Sequence, residues 1–322
     1  MTRAAHIILA LCICVPIFSQ QTLRIMSYNV ENLFYPEADT TREDLEFIPA
    51  GTRHWSFTRY RNKLAHIAEV IANAGGWTSP AIVGLQEVEE ARCLDDLCTY
   101  QLRSHRYRYV LFEGPDTRGI DVGLLYDTAQ VTLLAARALP VPMPPGDRPT
   151  RDVLYTCFQI QDSGGGWQDS LLLHVFTCHL PSQLGGAKVS GPRREAVYAV
   201  LRAQTDSLLL LDPQSRIVMM GDFNATPLDA LPPLTNLMLP FAARQQGTEK
   251  YRGEWSCLDQ FFVSPALLDE VKASIFDADF LLEPDEAWLG RRPKRTYQGF
   301  HYQKDGYSDH LPIVLEWTTE LP

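Results

Sequence analysis

At 322 residues, 45% apolar and 21% charged, the chain can bury a large core, and no long low-complexity tract points to disorder. The formal net charge of −10 repels polyanions at long range, which counts against a protein that holds nucleic acid by tracking many phosphates. A turnover enzyme with a local basic patch and a bound cation is still compatible with that balance.

The N-terminus carries Arg3, then an apolar stretch from Ile7 to Phe18, then Ser19-Gln20-Gln21. A basic start followed by an apolar run too short to span a bilayer predicts a signal peptide over residues 1–20, so a secreted or periplasmic protein without a stable membrane anchor. Cleavage there removes Cys12, Cys14 and the single base Arg3, and leaves the mature chain more acidic. Export permits disulfides, and Cys93 with Cys98, in a polar stretch, is the best candidate pair. Cys157, Cys178 and Cys257 read equally well as small buried thiols. If the turn at 162–166 closes symmetrically, Cys178 falls opposite about Val153 and not Cys157.

Beyond the leader, β-type apolar runs alternate with helical patterns. Strands are predicted near 23–28, 81–86, 107–112, 121–126, 153–160, 171–179, 216–221, 258–263 and 311–317. Leu64, Ile67, Ala68 and Ile71 fall at helical spacing, with Gly75-Gly76 as a stop. A second helix is expected from Pro192 after Ser190, with Val197, Val200, Leu201 and Leu208 on one face. The Pro140–Pro145 stretch reads as a rigid surface connection. Two such helices among many strands fit a layered α/β arrangement, and no internal repeat is present.

Several of these strands run out into polar residues. The first ends in Asn29-Val-Glu31, the second in Gln86-Glu87 and a later one in His179. In Met220-Gly-Asp222-Phe-Asn224, the carboxylate and carboxamide are two residues apart and project side by side from an extended end. Near the C-terminus, Ser308-Asp309-His310 precedes another apolar run, a pairing in which a carboxylate sets the charge of an imidazole.

In this order the set resembles the endonuclease/exonuclease/phosphatase family of DNase I-like enzymes, from about Leu23 to Trp317. The resemblance implies one domain over 21–322 with a four-layer α/β/β/α sandwich, two packed mixed sheets with outer helices. It also implies hydrolysis of a phosphate ester assisted by Mg²⁺, with Mn²⁺ or Ca²⁺ as alternatives. Oxygen donors suit such hard ions.

By resemblance Glu87 is the principal metal ligand, helped by Asn29 and Glu31, although in some branches the same glutamate supports a histidine. Asp222 and Asn224 match the pair that binds the attacking water and a phosphate oxygen. His179 matches a histidine that protonates the leaving group or binds the phosphate. His310 would contact the scissile phosphate, Asp309 would face the metal, and Asp259 would hydrogen-bond His310 and raise its basicity. Gln260 departs from the family, which more often has an aromatic residue there. Arg118 aligns with an arginine near the substrate phosphate, though a loop arginine paired with Asp116 or Asp121 fits as well.

Arg59, Arg61 and Lys63 at the start of the first helix, and Arg193-Arg194 at the second, read as solvated faces or as cations waiting for an anion. The aromatic and basic residues of His54-Trp55, Lys250–Trp255 and Arg295–Tyr302 either stack on a nucleobase or sugar or pack their own loops. A secreted phosphodiesterase of nuclease type is the leading expectation, with a phosphoester and possibly nucleic acid as partner and a monomer favoured. A phosphomonoesterase or lipid-headgroup hydrolase acting on inositol phosphates or sphingomyelin, and a catalytically silent binding protein, are the alternatives.

Overall fold

The computed structural model describes residues 20–39, 42–43, 45–160, 171–183, 185–227 and 231–320. The expected leader through Ser19 and the turn at 162–166 lie outside them. Twelve strands of the described chain form two six-stranded sheets: β1 (Gln20–Leu33), β2 (Ile82–Val88), β3 (Tyr107–Leu111), β4 (Asp121–Asp127), β5 (Val131–Leu139), β6 (Val153–Ile160), β7 (Leu172–His179), β8 (Arg216–Asp222), β9 (Thr235–Asn236), β10 (Asp259–Val263), β11 (Val271–Ile275) and β12 (Ile313–Glu320). The first sheet has the order β11-β12-β1-β2-β4-β3 and the second β5-β6-β7-β8-β10-β9. Three helices matter for packing, α1 (Phe57–Ala74), α2 (Ala91–Asp96) and α3 (Ala187–Leu211).

Side-chain alternation decides how these pieces stack. On β1, Leu23 and Ile25 join one buried cluster while Met26, Tyr28 and Val30 join another. On β8, Val218 and Met220 face one way and Ile217 and Met219 the other. A central strand apolar on both faces needs two covers. One cluster lies between α1 and the first sheet, with Leu64, Ile67 and Ile71. A second lies between the sheets, with Phe158, Phe261 and Trp317. The third joins the second sheet to Val197 and Leu201 of α3. The four layers α1, sheet, sheet, α3 are the expected sandwich.

Helix α1 begins and ends where its residues dictate. Ser56 caps it, its Oγ accepting the Arg59 N–H at 3.4 Å, and Gly75 caps the other end. Helix α3 starts five residues before Pro192, after Gly186 at φ +83°. Ser190 is no cap, because its Oγ donates back to the Gly186 carbonyl at 2.9 Å. Strands β5 and β11, absent from the sequence reading, are sheet edges paired on one side only. An edge strand needs less apolar surface and so leaves a weaker pattern.

Among the five described cysteines none is bridged, which corrects the expected Cys93–Cys98 pair. Both lie on one continuous helical segment, Cys93 in α2 and Cys98 in the wider turn Leu97–Gln101 that follows it. Five residues along a helix, at 3.6 residues per turn, turn the side chains well away from one another. Leu154 pairs with Thr177, so Cys178 lies opposite Val153, as the symmetric turn requires.

Only β1–β2 and β7–β8 are parallel among the pairs within these two sheets. Each is connected through an outer helix, α1 or α3, so both strands of each pair deliver their carboxyl ends to the same edge. Two glycines permit the close packing there. A Cβ on Gly84 would lie 2.7 Å from the Met220 side chain of the opposite sheet. A Cβ on Gly221, at φ +147°, would lie 1.8 Å from the Cys178 carbonyl oxygen. Gly221→Ala is expected to destabilise the protein by about 2–4 kcal/mol, from overpacking plus backbone strain. A urea or guanidinium unfolding midpoint within error of the wild type would contradict this.

Candidate active site

At the end of the second sheet, one row of residues is set by register. Asp222 closes β8, His179 pairs with it from the parallel strand β7, and Asp259 pairs with it from the antiparallel strand β10. Residues paired in register share a face, and this face looks toward the other sheet, in line with Val218, Met220 and Phe261. All three side chains are buried.

Asp259 and His310 meet through Oδ2 and Nδ1 at 2.7 Å. Burial opposes charge on this imidazole, but Asp259, Asp222 and Asp309 together outweigh it and push its pKa well above the usual range. These neighbours therefore favour the charged form of His310. The reverse holds for His179. Burial first, then the neighbouring Arg151, Arg118 and His310, hold its pKa well below the usual range. Its Nε2 lies 3.6 Å from Asp222 Oδ2 and 3.8 Å from Glu87 Oε1, and with a neutral ring these contacts are dipolar, not ionic.

Asp222 is held as a rigid acceptor. Its Oδ1 accepts the Asn224 N–H at 2.8 Å, and its Oδ2 accepts Asn224 Nδ2 at 3.0 Å and Asn29 Nδ2 at 3.2 Å. Burial pushes its carboxyl pKa upward; His310 opposes this, and Asp259 and Glu87 reinforce it. Gln260 packs without the aromatic ring that the family resemblance leads one to expect. It donates to the Ala225 carbonyl at 2.7 Å and accepts from Asn236 at 2.8 Å, tying down the loop that carries Asn224.

The first sheet supplies Asn29, Glu31 and Glu87 from β1 and β2. Strict alternation would send Glu87 with Val83 and Leu85 toward α1. A register shift between Gln86 and Val88, with Glu87 at φ +67°, turns it into the site instead. Glu31, Asn32 and Asn224 also have positive φ, a conformation that costs about 1–3 kcal/mol per residue. Hydrogen bonds hold it: Asn32 N–H to Glu87 Oε2 at 2.9 Å, Glu31 N–H to Asn29 Oδ1 at 3.0 Å and Thr296 N–H to Glu31 Oε2 at 2.6 Å.

Lys63 corrects the reading of a solvated helix face. Only 1% exposed, it donates Nζ to Thr296 Oγ1 and to the Tyr307 carbonyl. Burial lowers its pKa, with Glu31 and Asp309 opposing. Glu31 is shifted the other way, raised by burial and then by Asp309, with Lys63 offsetting part. Asn29, Glu31, Glu87 and Asp309 offer oxygen donors alone, and the mutual repulsion of Glu31 and Asp309 is what a hard cation relieves. Among the described residues, no three His, Cys, Asp or Glu side chains converge as a ready-made cage.

Arg118 is half exposed and leans on Asp116, Nε to Oδ1 at 3.5 Å, so the loop pairing is realised at the site's edge. Arg151, which the sequence reading missed, is buried behind it and bonds Asp116 Oδ2 at 2.8 Å. Its one signal was a charged residue just before the apolar run of β6. Arg193 pairs with Asp147, and Arg194 reaches the Pro181 carbonyl at 3.5 Å. The aromatic loops are divided: Trp55 is buried with Nε1 on the Phe34 carbonyl, Tyr297 is buried and Lys250 is paired with Asp285 at 3.0 Å, whereas Tyr251 and Phe300 are exposed.

The sequence profile described as the Endonuclease/Exonuclease/phosphatase family matches residues 24–319. Among solved structures, an endonuclease/exonuclease/phosphatase family protein from Bacteroides thetaiotaomicron is 15% identical with a TM-score of 0.58, covering 94% of this chain and 100% of its own. Truncated Caenorhabditis elegans TDP2 is 17% identical with a TM-score of 0.56, over 92% of this chain and 98% of its own. The mannosyl-6-phosphatase Bt3783 of Bacteroides thetaiotaomicron VPI-5482 is 14% identical with a TM-score of 0.55, over 92% and 99%. At these identities the likeness is one of fold. No curated protein matches the chain.

Asp259→Asn leaves His310 buried without its carboxylate, so the His310 pKa is expected to fall. In the wild type, the raised folded-state pKa contributes stability that is present below the unfolded-state value and lost as pH rises through the folded-state value. Imidazole NMR titration of the two proteins reads this directly, and an unmoved His310 resonance in the variant would refute it.

Proposed function

This chain belongs to the endonuclease/exonuclease/phosphatase family and is a phosphoric ester hydrolase, and from that premise we propose that it cleaves phosphodiesters, in the manner of a nuclease, with a bound divalent cation. The observation that carries the reading is the convergence of two buried histidines on Asp222, His179 Nε2 at 3.6 Å and His310 Nε2 at 4.0 Å from Asp222 Oδ2, with Asp259 behind His310. A phosphodiester carries negative charge that must be offset, and its attacking water must lose a proton.

In this reading His310, fixed by Asp259, holds positive charge against the phosphoryl oxygens. Asp222 and Asn224 orient the water, and Asp222, with its raised pKa, accepts the water proton. His179 is neutral, which suits hydrogen bonding to a phosphate oxygen better than donating a proton to the leaving group. Arg118 sits at the rim, where a guanidinium is suited to phosphate. Glu87, Asn29, Glu31 and Asp309 would hold Mg²⁺ or Mn²⁺, which when bound supplies charge neutralisation at the phosphoryl group. The leader-like stretch after Arg3 supports action outside the cytoplasm.

A second reading has one observation in its favour. The burial of Trp55 and Tyr297 and the pairing of Lys250 with Asp285 remove part of the expected stacking surface for nucleobases, leaving Tyr251 and Phe300 exposed, and the loss of that part favours a small phosphomonoester. The purified chain, with EDTA or with Mg²⁺ or Mn²⁺, would be assayed on plasmid DNA, RNA, inositol polyphosphates, sphingomyelin and a sugar phosphate. Cation-dependent cleavage of nucleic acid is expected, lost on chelation and reduced by about 10²–10⁴ in His310→Ala. Release of phosphate from monoesters alone would replace the first reading by the second.

A further inference from the structure

Arg118, placed at the rim for a phosphate oxygen, and Asn224, which anchors Asp222, come from distant parts of the chain, and one buried residue touches the anchor of each. We propose that Arg151 is the positioning residue that holds Arg118 at a fixed separation from the Asp222–Asn224 pair, so that a phosphate engaged by Arg118 lies against the residues that orient the water. This rests on the phosphoester-hydrolase reading of the site.

Toward the first sheet, Arg151 donates Nη1 to Asp116 Oδ2 at 2.8 Å. The other oxygen of Asp116 accepts the Arg118 N–H at 2.9 Å and faces Arg118 Nε at 3.5 Å. Toward the second sheet, Arg151 Nη2 meets the Leu180 carbonyl at 3.4 Å, and that same carbonyl accepts Asn224 Nδ2 at 3.1 Å. A single planar guanidinium therefore spans the Arg118 side and the Asp222–Asn224 side of the candidate site. Its rigid fork fixes both distances at once, which a lysine ammonium cannot do.

The electrostatics point the same way. Arg151 and Asp116 have side chains only 6% and 8% exposed, while Arg118 is 49% exposed. Without Arg151, Asp116 would be a buried carboxylate with only a rim arginine to compensate it, and Arg118 would be drawn inward. With Arg151 present, Arg118 and Arg151 share Asp116, and both disfavour the charged form of His179. Arg42 steadies the same loop, its Nη1 donating to the Gly114 and Asp116 carbonyls at 3.0 Å each. Burying a charged pair contributes little net stability compared with an apolar pair, so orientation is the better account of Arg151.

The test is calorimetric titration of inorganic phosphate, with Mg²⁺ present, into the full chain and into Arg118→Ala, Arg151→Met, Arg151→Lys and the Arg118→Ala/Arg151→Met double variant. Each single loss is expected to weaken phosphate binding by about 10–100-fold, the range for a charge-assisted hydrogen bond. The double variant should bind no more weakly than either single one, because both act through one contact. Arg151→Lys should lie between wild type and Arg151→Met, since it restores the Asp116 contact alone. Unchanged binding in Arg151→Met, additive losses in the double variant, or no phosphate binding by the wild type would each overturn the proposal. If Arg151→Met does not fold, as judged by thermal unfolding, Arg151→Lys decides, and wild-type affinity there counts against it. Binding is read without turnover, so a wild type that binds phosphate but hydrolyses no ester would sink the functional reading and leave the positioning of Arg151 standing.

Discussion

The site depends first on strand register in the second sheet. His179, Asp222 and Asp259 end up adjacent because β7, β8 and β10 meet at one row, and a shift of one residue would send each of them into the opposite layer. Apolar alternation along the same strands enforces that row. Val175, Val218, Met220 and Phe261 fill the space between the sheets, and a one-residue shift would take them out of that layer. The core therefore specifies the geometry of the candidate site, and the polar residues ride on an arrangement that hydrophobic burial has already selected.

Local strain makes the second contribution. Regular strands would leave Glu87 facing α1, where an unpaired carboxylate could not be tolerated. The irregularity at Gln86–Val88 re-aims it, and the backbone N–H of Asn32 holds the result. Glu31 is fixed in the same way by Thr296, with Lys63 beneath. Buried carboxylates with raised pKa values are costly in an apolar interior, and their collection at one edge of the sandwich sets that edge apart as the candidate site.

Opposite charge states for two histidines in one cleft follow from neighbours and not from the imidazoles themselves. His310 has Asp259 in direct contact, whereas His179 faces two guanidinium groups. The same residue type thereby meets opposite electrostatic surroundings on the two sides of the cleft. Arg151 belongs to this division, because it contributes to the field on His179 while anchoring the loop that carries Arg118.

By itself the sequence determined the layered α/β class, most strands, helix α1, and the segments that bear Asn29, Glu87, His179, Asp222, Asn224 and His310. Those features are written in short-range patterns, alternation of period two and polar residues at strand ends, which survive without knowledge of the fold. Edge strands β5 and β11, the true start of α3, and the burial of Lys63 and Lys250 were decided only by tertiary structure. A sequence pattern cannot say which helix face meets a loop from the far end of the chain, and Lys63 looks solvated until Thr296 and Tyr307 close over it. Arg151 is the same case. Its partners Asp116 and Leu180 are brought to it by the packing of two sheets, a long-range event that no local spacing encodes.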